Sequence, residues 1–82
     1  MPKLNLKEVE ILQMDGKYKK IDLRVDICKP FWLHQDEPMS RLGMKMYQGE
    51  CELTGDEVAE VRKAIAQEPW VVRDAIERQL KA

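Results

Sequence analysis

Residues 8–25, EVEILQMDGKYKKIDLRV, decide the fold class. An Asp-Gly pair at 15–16 separates two runs of alternating apolar residues: Val9 and Ile11 before it, Ile21, Leu23 and Val25 after it. Alternation with a period of two marks a strand with one buried face. Asp-Gly tolerates the positive φ angles of a tight turn. The stretch therefore predicts a β-hairpin. A two-residue loop would set Ile11 opposite Lys20 and divide the apolar set between two faces. A loop one residue longer sets Ile11 opposite Ile21 and Val9 opposite Leu23 on a single face, and this is the predicted register. Its one unfavourable pair is Glu10 opposite Asp22, two like charges.

A hairpin of two strands is not stable alone and needs a third strand or a helix against its apolar face. KLNL (3–6) and ECEL (50–53) are candidates for a short extra strand. The rest of the chain reads as helix. Pro30 suits the first turn of a short helix, where its missing N–H costs nothing. There Ile27 and Phe31 share one side, and Cys28 and Trp32 another. HQDEP reads as a loop, and Pro38 opens a second helix with Met39, Leu42 and Met46 at helical spacing and Gly49 as its C-terminal cap. LTGDEV (53–58) carries a capping box, Thr54 with Glu57, and a hydrophobic staple, Leu53 with Val58. That helix continues through Val61 and Ile65 until Glu68-Pro69 breaks or kinks it. A last helix presents Val72, Ile76 and Leu80 on one face and an Asp74–Arg78 pair on the other. The expected fold is α+β: an amino-terminal hairpin packed against three or four short helices, in one small domain over residues 1–82.

Composition narrows the function classes. The 82 residues are 44% hydrophobic and 35% charged, which argues for a folded globular domain. Fourteen Lys and Arg against fifteen Asp and Glu give a net charge of −1, without the basic excess of a nucleic-acid module. No apolar run approaches the ~20 residues of a membrane span, and MPKLNLKEVE lacks the apolar core of a signal peptide. Two cysteines cannot build a disulfide framework, so reduced thiols in the cytoplasm are expected.

Chemistry is concentrated in VDICKPFWLHQ (25–35), which holds the lone His34 and one of the two cysteines, Cys28. On a helix these two would sit roughly 120° and about 9 Å apart, and on a strand about 20 Å apart. Neither geometry gives the ~3 Å contact that activates a thiol. Cys28, His34 and Cys51 lack the paired spacing of a metal site. No catalytic residue, metal or cofactor is expected, and no small-molecule substrate is implied. Lys17, Lys19 and Lys20 at the hairpin tip, with Arg62 and Lys63, are the candidate nucleic-acid contacts, although such lysines more often keep a sheet edge soluble. Val25, Trp32, Met39, Met44, Tyr47 and Trp70 exceed what so few short helices can hide. Trp32, Met39, Met44, Tyr47 and Trp70 are accordingly the candidate protein interface.

YKKIDLRVDI (18–27), LGMKMYQGECELTGDEVAEVRKAI (42–65) and VVRDAIERQL (71–80) together resemble small uncharacterised proteins encoded among phage and prophage genes. In that pattern a strand ending in Asp-Leu-Arg leads into a short helix, followed by an aliphatic-x-x-x-x-Tyr-x-Gly turn and an acidic capped helix. Ile21, Asp22, Leu23 and Arg24 match the first part, and Met46, Tyr47 and Gly49 fall within the second; Pro30 departs from it. The resemblance covers roughly residues 18 to 80 and carries no catalytic residue. It implies a non-enzymatic phage accessory protein that binds another protein. The expected function is a small protein-binding module whose partner is a virion component, a host factor or a copy of itself. The alternative is a nucleic-acid-associated regulator acting through the lysine-rich hairpin tip.

Overall fold

A computed structural model describes residues 1–81. The chain runs β1 (Lys3–Leu4), β2 (Val9–Leu12), β3 (Tyr18–Ile21), α1 (Arg24–Trp32), α2 (Glu37–Tyr47), β4 (Cys51–Glu52), α3 (Gly55–Ile65) and α4 (Trp70–Lys81). The architecture is α+β with an amino-terminal hairpin, as expected.

The hairpin differs from expectation in register. Its loop has the predicted three residues but begins at Met14 rather than Asp15: the Gln13 amide donates to the Lys17 carbonyl at 2.8 Å, and the Gly16 amide to the Gln13 carbonyl at 3.0 Å. Gly16 closes the loop at φ 83°, the left-handed position of a turn followed by a bulge. The Asp15 carboxylate accepts the Lys17 amide at 2.9 Å and holds that geometry. Moving the loop by one residue moves the pairing by two, so Val9 faces Ile21 and Ile11 faces Lys19. A two-residue slip keeps every side chain on its own face. Val9 and Ile11 remain buried, while Glu10 now faces Lys20, opposite charges in place of the predicted clash with Asp22.

β3 also ends early. Leu23 is buried as the residue that precedes α1, with its amide on the Leu6 carbonyl at 2.8 Å, and Val25 lies inside the helix and is exposed. Asp22 starts α1 by accepting the Arg24 amide at 3.0 Å. Pro30 consequently falls near the end of α1 rather than in its first turn. There the Asp26 carbonyl loses its intrahelical donor.

The two candidate third strands pair with each other instead of joining the hairpin: Lys3 faces Glu52 and Leu4 faces Cys51 in a second antiparallel pair. The Leu53 amide on the Pro2 carbonyl at 2.8 Å extends this ladder. Both pairs feed one core. Leu4, Leu6, Val9, Met46, Leu53, Val61 and Ile76 are almost wholly buried and come from strands, loops and three helices alike. Each such aliphatic side chain contributes about 1.5–3 kcal/mol. Among the described residues no polar or charged side chain is fully buried.

Polar contacts close the rim. The capping box forms as read: Thr54 Oγ1 accepts the Glu57 amide at 3.2 Å, and Glu57 Oε1 accepts the Thr54 amide at 2.8 Å. Glu57 also accepts Lys45 Nζ at 2.9 Å, tying α3 to α2. Arg62 and Glu77 join α3 to α4 at 2.7 Å. Gln79 of α4 bonds the Asn5 amide and carbonyl and the Glu8 carbonyl, and Arg78 donates to the Glu10 carbonyl at 2.7 Å. No helix among the described residues is long and apolar enough to cross a membrane.

Candidate protein-docking groove

α1 and α2 form an antiparallel helical hairpin with residues 33–36 as the connection. Gly43 sets how closely they approach. A Cβ at that position would stand 2.9 Å from Phe31 Cβ, 2.9 Å from the Trp32 nitrogen and 3.0 Å from the Cys28 carbonyl oxygen. Any larger residue would push the helices apart. The far end is held by Arg24, whose guanidinium lies 4.8 Å over the Tyr47 ring and donates to the Tyr47 carbonyl at 3.4 Å. Arg24 also clasps Asp22 at 3.0–3.1 Å. That bond holds the Asp22 carboxyl below its usual range.

On the outer side this arrangement leaves a groove of about 530 Å³. One stripe of α1 forms a wall with Arg24, Val25, Cys28, Lys29 and Trp32. Gly43, Met44, Tyr47 and Gln48 form the other wall. Cys28 and Gly43 are buried and make the floor; Val25, Trp32, Met44 and Tyr47 stand half-exposed along the sides. The lining carries two cations and no carboxylate.

Three of the five predicted interface residues, Trp32, Met44 and Tyr47, therefore share one surface. Met39 and Trp70 do not line it. Met39 is half-buried against the core beside Phe31 and His34, and Trp70 is exposed at the start of α4. The groove residues missed in the sequence are Arg24, Cys28, Lys29, Gly43 and Gln48. The i, i+1, i+4, i+5, i+8 stripe of residues 24, 25, 28, 29 and 32 is a helical signal. Assigning Val25 to a strand concealed it.

No known protein family, curated protein or solved structure matches this chain.

Burial, reinforced by the nearby Cys51 thiol, pushes Cys28 up to about 11, so it is a neutral apolar group at physiological pH. His34 is exposed, and its Nδ1 accepts the Asp36 amide at 3.0 Å just ahead of α2. Among the described residues no hydrogen bond joins Cys28 to His34, and no three His, Cys, Asp or Glu side chains converge as metal ligands would. Lys17, Lys19 and Lys20 are exposed on the hairpin, with Lys19 and Lys20 pointing to opposite faces of β3. Arg62 and Lys63 of α3 are each engaged by a carboxylate, Glu77 and Glu60. These five cations are thus divided between the hairpin, where Lys19 and Lys20 face opposite ways, and α3, where Arg62 and Lys63 are already paired with carboxylates.

Proposed function

We propose that this chain is a non-enzymatic protein-binding module and that the α1–α2 groove is its docking surface. The observation that carries the reading is the convergence of Val25, Trp32, Met44 and Tyr47, large and half-exposed, around a formed depression. A folded domain gains nothing in stability from leaving such a group in water, and contiguous exposed apolar surface marks interaction sites. Trp, Tyr and Met are also the residues enriched in interface cores.

The charge of the lining favours a partner with acidic groups beside apolar ones. It disfavours a two-fold pairing of groove on groove, which would bring two Lys29 ammonium groups together with no carboxylate in the lining to offset them. The partner is accordingly another protein, a virion component or host factor if the resemblance to phage and prophage accessory proteins reflects descent. The two parts of that pattern lie together in the fold: Arg24, held by Asp22, donates to the Tyr47 carbonyl and lies over the Tyr47 ring, near Gly49 at φ 115°. The free thiols Cys28 and Cys51 suit a reducing compartment such as the cytoplasm.

A photo-crosslinking residue placed at position 32 or 44 in the native host tests the proposal, with position 70 as the exposed control. The same partner captured from 32 and 44 but not from 70, and lost on Val25→Glu, is the expected result. Equal capture from all three positions, or none, would end the proposal.

A further inference from the structure

Resting on that docking reading, we infer that the segment taken by the groove is an amphipathic α-helix, with apolar anchors at i, i+3 or i+4, and i+7, and an acidic residue against Lys29. The secondary structure of the walls decides the first point. Both walls are helices, and no strand residue lines the groove. Helix backbones bond internally, so these walls offer an extended peptide no ladder of N–H and C=O groups. An extended segment would have to turn its amides to the open side of the groove and pair them with water, and any amide turned inward would stay unpaired at about 1–3 kcal/mol. A helix enters with its backbone already satisfied.

The dimensions agree. Val25 to Trp32 spans seven residues of α1, about 10 Å, or two helical turns. Anchors at i and i+7 of a docked helix cover the same length. Val25, Lys29 and Trp32 make a ridge at i, i+4 and i+7 on one side, and Met44 with Tyr47 a shorter ridge on the other. A third helix lying between them would convert the α1–α2 hairpin into a three-helix layer by ordinary ridge-and-groove packing.

The charge places the acidic residue. Arg24 is committed to Asp22 and to the face of Tyr47. Lys29 has no ion-pair partner among the described residues and is exposed on the groove wall. An Asp or Glu one turn from the central anchor would meet it.

Selection from a random displayed-peptide library against the full chain, with counter-selection on Trp32→Ala, tests the inference. The expected outcome is Trp32-dependent peptides with apolar residues at helical period and an excess of Asp and Glu. Circular dichroism should show them gaining helix on binding, and Lys29→Glu should weaken them roughly threefold, as for a rim charge. Trp32-dependent peptides that alternate with a period of two, contain Pro at the anchors or are basic would overturn the helix inference and leave the docking site standing. Failure to enrich any Trp32-dependent peptide would overturn both.

Discussion

Gly43 of α2 meets the backbone nitrogen of Trp32 in α1 with no space for a side chain, since a Cβ there would come within 2.9 Å of it. The close approach puts Cys28 and Gly43 on the floor of the groove and leaves Val25, Trp32, Met44 and Tyr47 on its walls. One missing methyl group therefore links the packing of the helical hairpin to the surface proposed to bind a partner.

Gly43→Ala should destabilise the fold. Alanine gains about 1 kcal/mol in helix propensity, but overpacking against backbone atoms that cannot rotate away costs about 1–3 kcal/mol. A net loss of about 1 kcal/mol is expected, read as a lower urea midpoint with an unchanged slope. A midpoint equal to or above that of the parent would mean α1 moves aside freely.

Thr54→Ala removes the acceptor of the Glu57 amide and should cost about 1 kcal/mol. Glu57 is bound at once by the Thr54 amide and by Lys45, so Thr54→Ser should retain most of the stability. Chemical denaturation of the pair checks this; equal losses for Ala and Ser would assign the effect to the methyl group instead of the cap.

Acid should weaken the molecule partly through Glu57. Partial burial pushes its pKa up, but the Thr54 amide and the Lys45 ammonium more than offset this and leave it below its ordinary value. A carboxyl depressed in the folded state adds stability above its unfolded pKa, and that stability is lost as pH falls through the folded value. Glu77 beside Arg62 acts in the same direction. Glu57→Gln should flatten the fall in melting temperature below about pH 4.5. A parallel curve for the variant would exclude Glu57 as a source of the acid response.

At high pH the thiol acts with the opposite sense. Cys28 titrates near 11 in the folded protein, above its ordinary value of 9.0. The unfolded chain therefore loses this proton first, and stability falls as pH rises from the unfolded value to the folded one. At about 1.4 kcal/mol per unit, discounted for water reaching the groove, the loss is roughly 1–2 kcal/mol. Cys28→Ala should reduce it. Below pH 8 the native thiol should react slowly with a disulfide reagent and quickly in denaturant; fast native reaction would contradict its burial.

Tryptophan accessibility separates the two exposed indoles. Trp32 and Trp70 are 56% and 58% exposed, so acrylamide should quench both in the free protein. In Trp32→Phe and Trp70→Phe variants, a groove-bound peptide should protect only Trp32. Protection of Trp70 alone would place the interface on α4.

The sequence by itself determined the features whose partners lie within a few residues of one another. The turn at Asp15-Gly16, the capping box of Thr54 and Glu57, the left-handed Gly49 after α2, and the break at Pro69 all rest on local hydrogen bonds or on allowed φ angles. The face assignment of the hairpin was legible for the same reason, because a period of two survives a two-residue slip. Tertiary structure decided the rest. Leu4 meets Cys51 instead of the hairpin, Pro30 lies in the last turn of a helix that sequence would have it begin, and Met39 and Trp70 fall outside the groove. These outcomes depend on which distant apolar faces bury each other. Several registers and helix starts satisfy the local pattern almost equally, and only the shared core, with the close contact at Gly43, distinguishes them.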